Sequence, residues 1–109
     1  MIEATIYKDE DGSYKGFNIS GHAEYDVKGK DIICAAVSAL VINTINSIEK
    51  LTDDELRIRT KEKTGLIDVN FKTDISNETK ILIDSLVLGL TGIRDDNNES
   101  YLQITFQEV

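Results

Sequence analysis

The 109-residue sequence contains neither proline nor tryptophan, and it has only one cysteine and one histidine. A single cysteine cannot form a disulfide within the chain, which is typical of proteins of the reducing cytoplasm. Zinc sites need several cysteine or histidine ligands, and no glycine-rich phosphate loop is present, so we expect no metal and no cofactor. Because no apolar run approaches the roughly 18 residues that span a bilayer and no signal-peptide pattern opens the chain, we expect no membrane partner.

Basic residues are also few in this sequence. Lysine and arginine number 12 against 20 aspartates and glutamates, which gives a formal net charge of -8 at pH 7. Phosphate backbones bind concentrated basic patches, so direct binding to nucleic acid is not expected. An acidic surface instead attracts a basic protein partner and speeds the encounter, although for most of these residues solubility is a sufficient explanation.

Alternation of apolar and polar residues predicts five β-strands, and helical spacing predicts two helices. The strands are expected at 2–8, 14–20, 54–61 and 66–72 and around 102–106, with turns at 9–13 and 63–65. The helices are expected at 32–51 and 77–92, the second with Ser76 as its N-cap. The order ββαββαβ indicates an α+β fold of the two-layer α/β kind, in which two helices pack on a mostly antiparallel sheet. We interpret residues 1–109 as one domain.

One face of the first predicted helix is apolar and is expected to cover the sheet. Its members are Ile33, Val37, Leu40, Val41, Thr44, Ile45, Ile48 and Leu51. Cys34 and Ser38 are four residues apart on the border of this face, so their side chains are neighbours. The thiol of Cys34 is therefore predicted to be partly sheltered rather than lost in the core.

The second predicted helix has two apolar faces rather than one. The core face consists of Leu82, Ile83, Leu86, Leu90 and Ile93, and the strip on the opposite side consists of Ile81, Ser85, Leu88 and Gly92. A helix that covers a sheet should be polar on its outer side. We therefore predict that this outer strip is the interface of a two-fold homodimer, the alternative being a third layer of structure above the helix.

The histidine and the cysteine lie close together in the sequence, at His22 and Cys34, where a predicted strand ends and a predicted helix begins. A thiol on the first turn of a helix is favoured as thiolate by the helix amides and dipole, and an imidazole on the preceding loop can take its proton. Amides near Cys34 would then stabilise an oxyanion. Taken alone, such a pair is more often structural than catalytic, because a lone cysteine usually behaves as a small buried apolar residue.

The segment between the two residues also fits a catalytic interpretation. Gly21 permits a sharp turn or a close main-chain approach just before His22. The loop from Tyr25 to Lys30 includes Gly29 and few apolar anchors, so we expect it to cover a bound substrate.

Two polar residues beside the cysteine are expected to support the site. Asp31 is interpreted as the N-cap of the first helix, and the alternative is that it orients His22. Ser38 is expected to make a supporting hydrogen bond to the site, with ordinary helix packing as the alternative. A thiol-transfer protein is disfavoured, because that chemistry generally uses a second cysteine.

These residues together resemble a known family. The pattern of Gly21–Ala23, followed after a short loop by Gly29–Leu40, is similar to that of the ribosomal-processing cysteine protease (Prp) family. The length of the chain and its predicted ββαββαβ order fit that family from end to end.

The resemblance implies a cytoplasmic endopeptidase of Firmicutes-type bacteria. Its substrate would be the precursor of large-subunit ribosomal protein twenty-seven, whose N-terminal extension is removed after an aromatic residue. Cys34 would be the nucleophile and His22 the general base and then the general acid, and the family is also thought to be dimeric. The alternative is a non-enzymatic ribosome-associated binding module, in which both residues are structural.

Overall fold

A computed structural model shows five strands and two long helices in the predicted order, and it describes residues 1–22 and 29–109, with the side chains of residues 29–31 left out of the description. The predicted ββαββαβ order is therefore confirmed. The elements are β1 (Ile2–Lys8), β2 (Tyr14–Ser20), α1 (Gly29–Leu51), β3 (Leu56–Lys61), β4 (Leu66–Phe71), α2 (Asn77–Asp95) and β5 (Leu102–Glu108), with a 3-10 turn at Glu62–Thr64.

The five strands form one mixed sheet in the order β3-β4-β2-β1-β5. Three of the four neighbouring pairs are antiparallel, and the parallel pair is β1 with β5. In the central strands Phe17 lies between Ile6 on one side and Val69 on the other. All three side chains are fully buried, so the middle of the sheet is also the middle of the core. The predicted mostly antiparallel two-layer fold is confirmed.

One face of the sheet is covered by α1 and α2, because each helix buries an apolar face in the core that it shares with the strands. The buried residues of α1 recur at helical spacing and are Ile33, Val37, Val41, Thr44, Ile45 and Ile48. Among the described residues, Ile32–Leu51 of α1 is the one segment long and apolar enough to cross a membrane by length and composition. A core helix meets the same criterion, and here the buried face of α1 packs on the sheet.

The ends of α1 differ from the prediction in two ways. The helix begins at Gly29, three residues before the expected start, so Asp31 lies inside it and is not its N-cap. Leu51, predicted in the buried face, is 73% exposed. It is the last residue of α1 and follows Ile48, the last α1 residue that is buried.

Contact between the two helices depends on a glycine in α2. A β-carbon at Gly89 would lie 2.8 Å from Cδ1 of Leu40 on α1, so the helices approach closely where α2 has no side chain. On the other side of α2, Ile81 is 65% and Leu88 is 74% exposed. The outer strip predicted from the sequence is therefore at the surface of the described part of the chain.

Strand β3 begins at Leu56 rather than at the predicted residue 54, because the side chain of Asp54 is hydrogen-bonded to the start of α2. Its carboxylate accepts hydrogen bonds from the amide of Ser76 (3.0 Å), from the hydroxyl of Ser76 (2.7 Å) and from the hydroxyl of Thr79. Ser76 is the N-cap of α2, as predicted, and its oxygen accepts from the amide of Thr79 at 3.2 Å. The segment after α1 is thereby fixed to the start of α2.

We expect Ser76→Ala to lower the free energy of unfolding by about 1–2 kcal/mol, since it removes the N-cap and one hydrogen bond to Asp54. Urea denaturation measures this, with Ser100→Ala in an exposed turn as the control, which should change stability by less than about 0.5 kcal/mol. Equal stability of the two variants would show that the cap contributes nothing.

The same contacts predict how stability depends on pH. Hydrogen bonds, first of all the one from Thr79, lower the pKa of Asp54 below its ordinary value of 3.8. A carboxyl group with a lowered folded-state pKa stabilises the protein above its unfolded-state pKa, and this contribution is lost as the pH falls through the folded-state pKa. The destabilisation caused by Thr79→Val should therefore be largest near neutral pH and shrink in acid, as urea denaturation at several pH values can measure.

Candidate active site

His22 and Cys34 line the same small cleft, between the end of β2 and the side of α1. Its volume is about 100 Å³, and Gly21, Ser38 and Gly65 also line it. The rest of the lining is apolar and comes from the sheet and α1: Ile2, Ile19, Val37, Val41 and Ile67. A cleft of this size holds the reacting atoms rather than a whole ligand, since ligand pockets are about 300–1,000 Å³.

Gly21 sets the direction in which the chain leaves β2. Its φ of +84° lies in the left-handed region, and a β-carbon there would be 2.3 Å from the carbonyl oxygen of Met1. The predicted sharp turn and the predicted close main-chain approach are both present. Glycine is the residue type that combines the two features without strain. Gly21 therefore sets the backbone position from which the side chain of His22 extends.

His22 is exposed, and its ring is hydrogen-bonded to the main chain of the turn between β3 and β4. Nε2 lies 3.2 Å from the carbonyl oxygen of Lys63, and the amide of Gly21 donates to the carbonyl oxygen of Thr64 at 2.9 Å. The sequence predicted this segment only as a turn, so its part in the site was missed. The acceptor is a main-chain carbonyl, which every residue type has, so it cannot be recognised from the sequence. Gly65 was the one residue that could have indicated a special backbone conformation here.

Cys34 is partly buried, as predicted, and packs against the core. It is the sixth residue of α1 and so lies on the second helical turn, not on the first as predicted. In a helix each amide bonds to the carbonyl four residues earlier, so the amide of Cys34 is engaged and is not free for an oxyanion, contrary to expectation. The helix dipole also acts mainly within the first turn. The position of Cys34 in the helix therefore gives less support to a thiolate than the sequence predicted.

The other predicted site residues divide into three groups. Ser38 follows Cys34 by one helical turn and lines the cleft with it. Gly29, predicted in the substrate loop, is the first residue of α1, and Asp31 is in the same helix, with its side chain outside the description. Tyr25 and the rest of 23–28 lie outside the described residues, so the predicted loop over the substrate stays a prediction.

A larger apolar groove lies between α1 and α2 and contains neither His22 nor Cys34. Its volume is about 710 Å³, and its lining includes Ile32, Ala36, Leu40, Gly89 and Gly92.

No group of three or more histidine, cysteine, aspartate or glutamate side chains that could hold a metal ion occurs within residues 1–22 and 32–109. The chemistry available at the cleft is therefore that of a thiol and an imidazole.

Comparison with known proteins identifies the family. A family model described as cysteine protease Prp matches residues 1–103. The chain belongs to the Prp family. A curated relative, the ribosomal processing cysteine protease Prp of Bacillus subtilis, is 28% identical over 109 residues, with 96% of each chain covered. That of Staphylococcus aureus is 25% identical over 100 residues, covering 92% of this chain and 94% of the relative.

A solved Prp structure shares the fold. The ribosomal processing protease Prp of S. aureus, solved in complex with a covalently linked product peptide, matches with a TM-score of 0.88 and 23% identity. The match covers 98% of this chain and 100% of that one. The protein is thus a cysteine protease of the ribosomal-processing family, and membership favours the peptidase over the non-enzymatic binding module.

Because His22 and Cys34 line one cleft, we expect the reactivity of the Cys34 thiol in the folded protein to depend on His22. At neutral pH, His22→Ala should slow alkylation of Cys34 by iodoacetamide about tenfold or more, because the proton acceptor is removed. Mass spectrometry measures the single adduct over time. In concentrated urea the two proteins should react equally, which controls for intrinsic thiol reactivity, and equal native rates would contradict the pairing.

Proposed function

We propose that this protein removes the N-terminal extension from the precursor of large-subunit ribosomal protein twenty-seven, with Cys34 as nucleophile and His22 as general base and acid. One observation carries the proposal: the only thiol and the only imidazole of the chain line one cleft in a member of the Prp family. Ser38 lines the same cleft, and its proposed part is to support the pair.

The reaction is acyl transfer in two steps. His22 takes the proton of the Cys34 thiol as sulfur adds to the scissile carbonyl, and the imidazolium then gives that proton to the leaving amine. The C–N bond breaks and a thioester to Cys34 remains. Water, deprotonated by His22, adds to the thioester, and the acid product leaves as the thiol is restored.

The choice of substrate is supported by the relatives and by charge. The curated relatives are named ribosomal processing proteases, and S. aureus Prp has been solved with a substrate peptide. Ribosomal proteins that bind RNA are basic, and the net charge of -8 on this chain would speed their encounter. Such a substrate also fits the proposed cytoplasmic location.

Incubation with a peptide that spans the extended N-terminus of that ribosomal protein tests the proposal, with mass spectrometry as the readout. We expect the wild type to make one cut and both Cys34→Ala and His22→Ala to lose at least about 10³-fold in rate, since each removes an essential group. Asn46→Ala, exposed on the same helix, is the matched control and should keep full activity. Full turnover by Cys34→Ala would overturn the mechanism.

We also propose that residues 1–109 act as one domain and assemble as a homodimer through the outer strip of α2. Ile81 and Leu88 are largely exposed there, and Ser85 lies between them in the sequence. Gly92 belongs both to the strip and to the lining of the apolar groove, so the two surfaces meet at this residue. Surfaces of this kind usually mark contacts with another molecule.

Leu88→Lys should weaken self-association about tenfold or more, because it places a charge in the proposed interface. Leu51→Lys is a matched control, since both leucines are about equally exposed, at 74% and 73%, and Leu51 is outside the strip. Sedimentation velocity at micromolar concentration measures the change. A monodisperse wild-type monomer would end this part of the proposal.

A further inference from the structure

Two consecutive main-chain carbonyls of the turn between β3 and β4 accept hydrogen bonds from Gly21 and His22. The carbonyl of Lys63 meets Nε2 of His22 at 3.2 Å, and the carbonyl of Thr64 accepts from the amide of Gly21 at 2.9 Å. The backbone just before the histidine and the far end of its ring are thus tied to adjacent residues of one turn. An exposed side chain with only a backbone tether would sample several rotamers, whereas this one has a second fixed point.

The carbonyl of Lys63 also determines which ring nitrogen can act as a base. A carbonyl oxygen only accepts hydrogen bonds, so Nε2 must carry the proton in this contact. In the neutral ring Nδ1 is then the unprotonated nitrogen, free to take a proton from a thiol. In the protonated ring Nε2 still carries a proton, so the hydrogen bond to Lys63 persists while Nδ1 holds the proton taken from the thiol.

Gly65 makes this arrangement sterically possible. Its φ is +66°, and its amide donates to the carbonyl of Glu62, which closes the 3-10 turn. A β-carbon at Gly65 would lie 2.5 Å from the carbonyl oxygen of Gly21 and 3.2 Å from Cε1 of His22. Any other residue here would therefore push against the histidine ring and against the strand end that carries it.

We propose that the turn at Lys63–Gly65 is the positioning element of the catalytic dyad, with the main-chain carbonyl of Lys63 acting as the group that orients His22. This inference rests on the proposed role of His22. In many cysteine and serine hydrolases a third group orients the base, and here the main chain would serve that purpose. No carboxylate needs to be invoked for it.

Two glycine variants separate positioning from general stability. Gly65→Ala and Gly12→Ala both place alanine at a positive φ, +66° and +82°, and so carry similar backbone strain. A β-carbon at Gly12 meets nothing within 4 Å, whereas at Gly65 it meets His22. A loss seen only in Gly65→Ala is therefore due to contact with the site.

The readouts are the kcat and KM of peptide cleavage and the pH profile of Cys34 alkylation by iodoacetamide. For Gly65→Ala we expect kcat to fall about 10–100-fold with KM within about threefold, because the base is misplaced while peptide binding is kept. Its alkylation profile should move toward that of His22→Ala. Gly12→Ala should match the wild type in both, and a Gly65→Ala that does the same overturns the proposal.

A second variant tests the carbonyl itself and covers the case in which Gly65→Ala does not fold. Replacing Thr64 by its α-hydroxy acid turns the 63–64 peptide bond into an ester, which weakens the Lys63 carbonyl as an acceptor and changes no side chain. We expect kcat and the neutral-pH alkylation rate both to fall about threefold or more, because a weaker acceptor holds the ring less firmly. Unchanged values would overturn the proposal.

The positioning role of the turn and the proposed substrate fail by different outcomes. If the wild type leaves the ribosomal peptide intact but its alkylation still depends on His22 and Gly65, positioning stands and the proposed substrate fails. If His22→Ala has the alkylation profile of the wild type, the histidine does not activate the thiol and the positioning role falls with it.

Discussion

The burial of one face of α1 against the sheet is the contact on which the rest of the structure depends. Val37 and Val41 are both buried and line the floor of the cleft, so the packing of the core also places the cysteine. Cys34 lies one helical turn before Val37, at the border of the buried face of α1. His22 follows the end of β2 and lines the same cleft. Because the core fixes the distance between helix and strand, the two residues line the same cleft.

Much of the fold was predictable because burial imposes a period on the sequence. Strands alternate with a period of two and helices with a period near 3.6, and the apolar residues of this chain follow these two periods. The buried side chains of β1, namely Ile2, Ala4 and Ile6, follow the alternation expected for a strand with one covered face. The same reasoning found the core face of α2 at Ile83, Leu86 and Leu90.

Boundaries were less predictable, because they depend on which distant group completes a hydrogen bond. Asp54 looked like the start of a strand, but its carboxylate instead receives the cap of α2 from Ser76 and Thr79. The start of α1 was also misplaced, but for a different reason. No apolar residue lies in Gly29–Asp31, so the periodic apolar pattern does not reach the first turn of the helix. In the site, the two reactive residues could be named from their types and neighbours, whereas the acceptor on Lys63 could not, because every residue carries a carbonyl.

That acceptor has a consequence for how sequences of this family can vary. A carboxylate or an amide side chain that orients a histidine must keep its identity, but a main-chain oxygen is supplied by any amino acid. The contact therefore puts no requirement on the charge or size of the side chain at position 63. The requirement on residue type falls instead on position 65, where the positive φ and the close contacts need glycine. The contact with the histidine thus places its demand on the backbone of position 63 and on the residue type of position 65.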